Sequence, residues 1–457
     1  MRRVHESHGC VTIQVMDAPA YFRGKRVTVM GLGLLGRGVG DVRYLAECGA
    51  ELIVTDLKTR EQLAESVAQL ESFHKITFVL GEHRLEDFRD RDMILKAAGV
   101  PLGSVYIAEA KKHGIPVRMS AELFAEISGI PVIGVTGTRG KSTVAHMLHA
   151  IFKRAGKKVL LGGNVRGVSN LMLLGEVTPE HVAVLELDSW QLQGWGDVCM
   201  SPHIAIFTTF YQDHQNYYKD HQEMYLADKA NIFLYQTPKD TLILGKQCAA
   251  IIIEKYGEKI DSKTIVADEF KLPDTWVLKI PGKHNRYDAA LALTAARSLE
   301  IPDEMSRKAL ESFAGVPGRL ELVREVNGVK VYNDTTATTP EATLAALSAL
   351  NVGRCTSHIV LIMGGADKGL DMDKLVAKLP EMKRVILLAG TGTERIRASL
   401  HSAQVFDDFA LAVADAFAHA ESGDIILLSP AFASFGMFKN EFDRGDQFNA
   451  LVQKYGK

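Results

Sequence analysis

Two glycine-rich segments constrain the fold of this chain more than any other feature of its sequence. GLGLLG at residues 31–36 follows a predicted strand over 25–30, and GTRGKST at 137–143 follows a predicted strand over 130–135. A predicted helix begins after each segment, the second of them over 142–155. Because a strand that turns through glycines into a helix is the repeating unit of a parallel sheet covered by helices, both segments predict α/β domains.

The same alternation of strands and helices continues along the chain. A length of 457 residues at about 150 per domain predicts three domains. Turn-forming residues over 114–120 and the cluster GVPG at 315–318 place the boundaries, which gives domains over 1–118, 119–315 and 316–457. A helix is predicted over 120–128, and further strands over 51–55, 92–95, 116–118, 320–325, 329–332, 360–363, 385–389 and 425–428.

Composition excludes several classes of protein. Apolar residues make up 47% of the chain and charged residues 24%, which is typical of a folded globular protein. The net charge of -2 favours neither nucleic acid nor an anionic membrane as a partner, and no apolar run is long enough to span a bilayer. The N-terminus lacks the apolar stretch of a signal peptide, and the five cysteines have no metal-binding or redox spacing. We therefore expect a cytoplasmic enzyme that acts on small molecules.

The first glycine-rich segment predicts a site for a phosphate-bearing ligand. Glycines in this turn let a phosphate approach the backbone N–H groups at a helix N-terminus, and Asp56 follows Gly36 by 20 residues, as in dinucleotide-binding domains. Alone, the motif is compatible with a nicotinamide-dependent dehydrogenase. It does not decide which pyrophosphate ligand binds, since a nucleotide sugar suits the same geometry.

The second glycine-rich segment predicts an ATP site. Backbone N–H groups of such a loop hold phosphates, a lysine neutralises the β- and γ-oxygens, and a hydroxyl holds Mg²⁺. The candidate residues are Gly137, Thr138, Gly140, Lys141, Ser142 and Thr143. Two such sites in one chain predict an enzyme that uses ATP to activate a group carried on a nucleotide.

Acidic residues and histidines between these sites suggest metal ligands. Glu186 and Asp188 come at the end of a hydrophobic strand, and strand periodicity predicts that they share one face. Asp213 and His214 lie in a loop rich in tyrosine over 208–218. The segment GKHN at 282–285 and Asp288 precede a helical run over 289–298, where they suit a nucleotide-contacting loop and a helix cap equally well.

Taken in order, these segments resemble the Mur ligases of peptidoglycan synthesis, from about residue 21 to the C-terminus. The resemblance predicts a nucleotide-sugar domain over 1–118, a central ATPase domain over 119–315, and a Rossmann-like C-terminal domain over 316–457 that brings the amino acid. The matching segments are GLGLLG at 31, TGTRGKST at 136, GGN at 162, LELDSWQL at 185, DH at 213, YLADKANIF at 225, GKHN at 282, GRLE at 318, YNDTTAT at 332, GGADKG at 364 and LSPAFASFGMFKN at 428.

The resemblance implies a two-step ligation in a monomer. ATP phosphorylates the carboxylate of UDP-N-acetylmuramoyl-L-alanine, and the amine of D-glutamate then displaces phosphate to form an amide. Lys141 would act on the ATP phosphates, and two Mg²⁺ ions are implied, with Ser142, Glu186 and His214 among their ligands. Lys229 matches the lysine that is carbamylated in this family, a modification that turns a cation into an anionic oxygen ligand. From spacing alone it is an ordinary helix-surface lysine.

The remaining site residues are also implied by the resemblance. Those assigned to the UDP-substrate are Leu34, Leu35, Asp56 and Asn164. Those assigned to the ATP nucleotide are Asn285, Arg319 and Asp334. Those assigned to the incoming glutamate are Thr338, Lys368, Ser434 and Phe438.

Two departures from the family pattern bear on specificity. The segment NDTTAT has Thr336 where the family has a lysine beside the glutamate carboxylate, which removes a charge-assisted contact worth roughly 1.5–3 kcal/mol. The HNxxN pattern ends in Asp288 instead of asparagine. Three alternatives therefore stay open: the same mechanism with another amino acid such as L-glutamate, a dehydrogenase built on residues 31–36, and an ATP-driven binding protein that does not ligate.

Overall fold

The computed structural model describes residues 16–34, 36–101, 103–213, 215–218, 221–350, 356–400 and 403–455. Within them, the alternation of strands and helices forms three sheets. The strands are β1 (Arg26–Met30), β2 (Glu51–Asp56), β3 (Ile76–Leu80), β4 (Met93–Lys96), β5 (Val117–Arg118), β6 (Val132–Thr136), β7 (Lys158–Gly163), β8 (His181–Glu186), β9 (Ile204–Phe207), β10 (Thr241–Gly245), β11 (Lys263–Ala267), β12 (Glu321–Val326), β13 (Val329–Asn333), β14 (Ile359–Gly364), β15 (Arg384–Leu388), β16 (Gln404–Phe406) and β17 (Ile425–Leu428).

Helices connect most of these strands. The α-helices of the described residues are α1 (Ala18–Phe22), α2 (Arg37–Glu47), α3 (Ala64–Ala68), α4 (Val105–Lys112), α5 (Ser120–Ser128), α6 (Lys141–Arg154), α7 (Ser189–Asp197), α8 (Gln215–Tyr218), α9 (Gln222–Ala230), α10 (Lys246–Tyr256), α11 (Lys283–Ser298), α12 (Asp303–Ser312), α13 (Pro340–Leu350), α14 (Asp373–Lys378), α15 (Thr391–Arg397), α16 (Phe409–His419) and α17 (Glu441–Val452).

The first sheet has the strand order β3-β2-β1-β4-β5, and each neighbouring pair of strands is parallel. The connection from β1 leads to one side of the sheet, toward β2, whereas β4 lies on the other side of β1. The order therefore reverses between β1 and β4, and ligands of open α/β sheets bind at the carboxyl edge of such a point. The segment 31–36 leaves β1 at this edge.

The second sheet has the order β11-β10-β9-β6-β8-β7 and is also parallel. Its strand β6 is buried and leads through residues 137–140 into α6. Helix α6 buries Val144, Met147, Leu148 and Ile151, which lie one helical turn apart and form its core-facing stripe. The predicted strand–loop–helix at the second glycine-rich segment is confirmed.

The third sheet has the order β12-β13-β17-β14-β15-β16, in which β12 pairs antiparallel with β13 and the other pairs are parallel. Its central strands β14 and β17 are buried throughout. Two apolar clusters cover its faces, one with α13 and α14 and the other with α16 and α17. The predicted α/β class with parallel sheets is confirmed.

The chain divides into two compact units, one that contains the first and second sheets and one that contains the third. Within the first unit, buried contacts join the two sheets: Asp41 of α2 accepts hydrogen bonds from the Ser169 hydroxyl at 2.6 Å and from the Leu171 N–H at 3.1 Å. The domain boundaries at residues 118 and 315 stay predictions.

No helix in the described part of the chain is long and apolar enough to cross a membrane.

Two sequence-based expectations are wrong in detail. Strand β8 ends at Glu186, and Asp188 is instead the N-cap of α7, where its carboxylate accepts the Gln191 N–H at 2.8 Å, so the two acids do not share a strand face. Helix α11 begins at Lys283 rather than at Ala289, which places Asp288 inside the helix and not at its cap. At α7 the cap hydrogen bond between Gln191 and Asp188 marks the start of the helix, and apolar periodicity does not predict such a cap.

Candidate active site

Two glycines shape the loop that connects β6 to α6. Gly137 has φ 141° and Gly140 has φ 86°, backbone conformations that residues with a side chain rarely adopt. A Cβ atom at Gly137 would lie 2.0 Å from Thr208 Oγ1, and one at Gly140 would lie 2.4 Å from Asp288 Oδ1. Both positions therefore require glycine for space as well as for conformation. The second contact also places Asp288, the residue that departs from the family pattern, directly against this loop.

Hydrogen bonds from the segment after β9 hold the loop in place. The Thr138 N–H donates to Thr209 O at 2.7 Å, and the Arg139 N–H donates to the Thr209 hydroxyl at 2.9 Å. The Tyr211 N–H in turn donates to the Thr138 hydroxyl at 2.9 Å. Since α6 begins directly after Gly140, the N–H groups of its first turn and the positive end of its dipole lie at this loop. This is an anion-binding arrangement that suits the phosphates of a nucleotide.

Lys141, the first residue of α6, extends its side chain back over the loop. Its Nζ donates to Gly137 O at 3.0 Å and to Thr138 O at 3.3 Å. The next residue, Ser142, is buried, and Thr143 is half-buried. The structure thus brings the predicted phosphate-binding residues together around one loop.

Lys229 of α9 lies on the other side of the same loop. Its side chain is only 1% exposed, and its Nζ donates to Gly137 O at 3.0 Å and to Thr136 Oγ1 at 3.4 Å, with the ring centre of Tyr225 4.8 Å away. Burial, and then the positive charge of Lys141, hold the pKa of Lys229 well below its usual value. Both effects disfavour the charged ammonium form relative to the neutral amine, whose nitrogen lone pair is the reactive group.

Glu186 supplies a carboxylate at the same edge of the second sheet. It is the last residue of β8, is 3% exposed, and lies opposite Val135 of β6 in the register. Carboxylate and hydroxyl oxygens such as those of Glu186 and Ser142 suit Mg²⁺, so the donor set fits the predicted ion. No group of three or more His, Cys, Asp or Glu side chains forms a metal site within the described ranges. The predicted ligand His214 lies outside them.

Asp56 at the end of β2 organises the first glycine-rich segment. It is 6% exposed, and its carboxylate accepts the Gly33 N–H at 3.0 Å and the Lys58 N–H at 2.9 Å. Leu34 in the same segment is 47% exposed, as a ligand-contacting apolar residue needs to be. Leu35, the other predicted contact, lies outside the described residues.

Asn164 connects the two glycine-rich sites. It follows β7, its N–H donates to Glu186 O at 2.7 Å, and its side-chain oxygen accepts a hydrogen bond from the Arg37 guanidinium. Arg37 is the first residue of α2, directly after Gly36. A substrate that reaches from the first segment to the second would pass these two side chains. The sequence analysis missed Arg37, and its place directly after the glycines is the signal that could have identified it.

In the domain of the third sheet, the charge of Arg319 acts on Asp334, and the nucleotide contacts assigned to both residues stay predictions. Asp334 is buried after β13, and its carboxylate accepts the Leu320 N–H at 3.0 Å and the Ser429 hydroxyl at 2.8 Å. Burial raises the pKa of Asp334 to about 7, while these two hydrogen bonds and the charge of Arg319 oppose the rise. Asn285, the third residue of that group, donates from Nδ2 to Pro281 O at 2.5 Å.

The raised pKa of Asp334 predicts a pH-dependent stability. A carboxyl whose folded pKa exceeds its unfolded value binds its proton more tightly in the folded state, so the protein loses stability as pH rises from about 4 to about 7. Asp334→Asn keeps a neutral side chain that can still pair with Leu320 and Ser429. We expect this variant to gain about 2–4 kcal/mol over wild type at pH 8 and little at pH 4. Urea unfolding at both pH values measures this, and an equal difference at both would contradict it.

The residues predicted for the glutamate pocket partly converge. Lys368 Nζ donates to the Thr338 hydroxyl at 2.8 Å, and a bridge between Ala366 and Ala433 brings the loop after β14 next to buried Ser434. Thr336 makes a different contact: its N–H and its hydroxyl both donate to Gly318 O, at 3.1 and 3.0 Å.

Phe438, the last residue predicted for the glutamate pocket, packs against an apolar cluster. Its ring packs edge to face on Phe409 with ring centres 4.9 Å apart, against the cluster of α16 and α17. Phe435, one residue after Ser434, is 66% exposed. The role of Phe438 in the pocket stays a prediction.

A phosphate-binding loop between a buried strand and a helix, with lysines on both sides, defines an ATP-using α/β enzyme. Three family models match the chain in succession: "Mur ligase MurD-like, N-terminal domain" over residues 25–119, "Mur ligase middle domain" over 135–276 and "Mur ligase, glutamate ligase domain" over 318–432. The chain belongs to the Mur ligase family.

Relatives across the whole chain agree with this assignment. The UDP-N-acetylmuramoylalanine--D-glutamate ligase of Roseiflexus sp. is 37% identical, over 94% of this chain and 99% of that protein. The ligase of the same name from Borreliella burgdorferi is 35% identical, over 94% and 97%. The UDP-N-acetylmuramate-alanine ligase of Thermotoga maritima shares the fold with a TM-score of 0.62 and 16% identity, over 94% of this chain and 99% of that one.

Proposed function

We propose that this chain is an ATP-dependent ligase that joins D-glutamate to UDP-N-acetylmuramoyl-L-alanine in peptidoglycan precursor synthesis. The observation that carries the proposal is the convergence of Lys141 and Lys229 on one phosphate-loop carbonyl, Gly137 O. A simple ATPase needs only the first of these lysines. Relatives that match nearly the whole chain carry this activity in their names, and nothing supports the dehydrogenase or the non-ligating ATP-binding protein.

The first step activates the carboxylate of the acyl substrate. A carboxylate is a poor electrophile, so one of its oxygens attacks the γ-phosphorus of ATP, ADP leaves, and an acyl phosphate forms. Lys141 and the N–H groups of residues 137–143 hold the phosphates and offset the charge that moves onto the β-oxygens. Residues along the edge from Arg37 to Asn164 orient the acyl substrate between the two glycine-rich segments.

The second step forms the amide. The amine of the amino acid attacks the carbonyl carbon of the acyl phosphate, the C–O bond to phosphate breaks, and the nitrogen loses a proton. Inorganic phosphate and the amide are the products. The acyl phosphate hydrolyses readily, so the C-terminal domain that brings the amino acid is expected to exclude water while the intermediate is present.

Metal ions are assigned to the edge of the second sheet. Ser142, Glu186, His214 and a carbamylated Lys229 would hold two Mg²⁺ ions, which neutralise phosphate charge when bound. The neutral amine of Lys229 is suited to attack CO₂, and loss of one N–H proton then leaves an anionic carbamate. The carbamate gives the side chain an anionic oxygen, which is the kind of ligand that Mg²⁺ prefers.

Glutamate recognition is assigned to the loops after β13, β14 and β17. Because Thr336 carries no charge and bonds to Gly318 O, the predicted contact that supplies a cation is Lys368, which donates to Thr338. Lys368 would pair with a carboxylate of the amino acid, next to Ser434. The absence of the usual family lysine is the reason to test L-glutamate beside D-glutamate.

Lys368→Met should weaken amino-acid binding selectively. Loss of one charge-assisted hydrogen bond is worth roughly 1.5–3 kcal/mol, which raises the KM for glutamate by about 10- to 100-fold and leaves the KM for ATP unchanged. Steady-state kinetics with each substrate varied in turn measures this. The exposed Lys374→Met is the matched control. Equal changes in the KM values of all substrates would contradict the assignment.

The test of the proposed function is phosphate release with ATP, Mg²⁺ and UDP-N-acetylmuramoyl-L-alanine across D-glutamate, L-glutamate, glycine and L-lysine. Release confined to D-glutamate, with the ligated product identified by mass, is the expected result. Release with L-glutamate instead would keep the mechanism and change the substrate. No release with any amino acid would overturn the proposal.

ATP and nucleotide sugars are cytoplasmic metabolites, so the proposed reaction is assigned to the cytoplasm.

A further inference from the structure

Lys96 occupies a position where open α/β sheets bind ligands. It is the last residue of β4 and lies opposite Met30, the last residue of β1, in the parallel register. The order of the first sheet reverses between these two strands, and the segment 31–36 leaves β1 at the same edge. No motif in the sequence singled out Lys96.

The side chain of Lys96 is buried without an acceptor for its charge. It is 6% exposed, and Nζ has no hydrogen-bond partner among the residues that the structure describes. A buried ammonium group without an acceptor costs free energy, so a lysine in this position destabilises the fold. Packing alone does not explain it, since an apolar side chain of the same length would fill the space at no such cost.

Carboxylates of the segments around α7 and α9 act on the charge of Lys96. Burial lowers the pKa of Lys96, whereas Asp197, Asp188 and Asp228 raise it. Asp188 and Asp197 stand at the two ends of α7, and Gln193 in the middle of that helix donates to Asp228 Oδ2 at 2.8 Å. The other side-chain atom of Gln193, Oε1, is buried and has no partner in the described part of the chain. Two unsatisfied polar atoms, a donor and an acceptor, therefore belong to the same region.

We propose that Lys96 is a substrate-binding residue, whose ammonium group takes an anionic oxygen group of the nucleotide-sugar substrate. The inference rests on the proposed function. The substrate carries anionic oxygens in two places, the diphosphate and the terminal carboxylate, and either provides the acceptor that Lys96 lacks. Helix α7, whose Asp188 and Asp197 act on the charge of Lys96, begins three residues after Glu186 at the ATP-binding edge.

Lys96→Met tests the proposal by calorimetric titration with three ligands: UDP, UDP-N-acetylmuramate and UDP-N-acetylmuramoyl-L-alanine. The expected result is binding weakened about 10- to 100-fold, an unchanged KM for ATP, and a melting temperature equal to or above that of wild type. A loss that includes UDP assigns Lys96 to the diphosphate. A loss confined to the two carboxylate-bearing ligands assigns it to the carboxylate. Lys112→Met, which removes the same charge from an exposed position on α4, should bind all three ligands as wild type does.

Two results would overturn the inference while the proposed function stands. One is wild-type affinity of Lys96→Met for all three ligands, within about twofold. The other is a lower melting temperature with equal rises in the KM values of ATP, amino acid and nucleotide sugar, which is the pattern of a structural lysine. If the methionine variant does not fold, Lys96→Gln is measured in the same way. Failure of the wild-type protein to bind any of the three ligands would overturn the proposed function itself, and the inference with it.

Discussion

Lys141→Met is expected to reduce ATP-dependent amide formation by about 100- to 1000-fold, because it removes the cation that offsets phosphate charge during transfer. Its Nζ lies 3.0 Å from Gly137 O, on the loop that is proposed to hold the nucleotide phosphates. Steady-state phosphate release with product detection by mass measures the loss.

Lys153→Met is the matched control for this variant. Lys153 lies in the last turn of α6, is exposed, and carries the same charge on the same helix. We expect it to keep wild-type activity, and both variants to keep the wild-type circular dichroism spectrum. Retention of more than about a tenth of the wild-type rate by Lys141→Met would show that the loop at residues 137–143 does not carry the transfer.

Lys229→Met is expected to have an effect of similar size for a different reason. If Lys229 is the carbamylated ligand, the variant loses one anionic ligand of the second Mg²⁺ and the activity falls by about 100-fold or more. Its fold should persist, since the methionine side chain suits a site that is 1% exposed.

A direct observation of the modification makes this test specific. Protein equilibrated with carbon-13-labelled bicarbonate should show a carbamate carbonyl resonance in wild type that is absent from Lys229→Met. Lys239→Met, a control at an exposed lysine, should keep both the resonance and the activity. A resonance that persists in Lys229→Met, or full activity of that variant, would show that Lys229 does not carry the carbamate.

The two lysines explain why this loop suits a ligase. Lys141 and Lys229 approach Gly137 O from different helices, and the positive charge of Lys141 contributes to the lowered pKa of Lys229. A single lysine would serve phosphate transfer alone. In the proposed reaction Lys141 is the cation for the nucleotide, and Lys229 is the amine that would carry the carbamate.

Local sequence determined much of the architecture. Strand β17 and helix α5 were predicted over the residues that form them. Each depends on a short run of apolar residues and on the turn or capping residues beside it, and these signals lie within a few positions of the sequence. The two glycine-rich segments predicted the turns that follow β1 and β6, where Gly31, Gly33, Gly36, Gly137 and Gly140 have positive φ angles. The phosphate sites at these turns stay predictions. Ordered motifs along the chain added the family.

Only the tertiary structure decided what the buried polar side chains do. Lys229 is an ordinary helix-surface lysine by spacing, yet it contacts Gly137, 92 residues away, and is buried. Glu186 ends β8 and Asp188 caps α7, so the two acids do not share a strand face. Lys96 belongs to no sequence motif. The burial of a side chain, its pKa and its hydrogen-bond partners depend on residues that are far apart in the chain. Local sequence patterns therefore do not predict which distant atoms will surround a side chain.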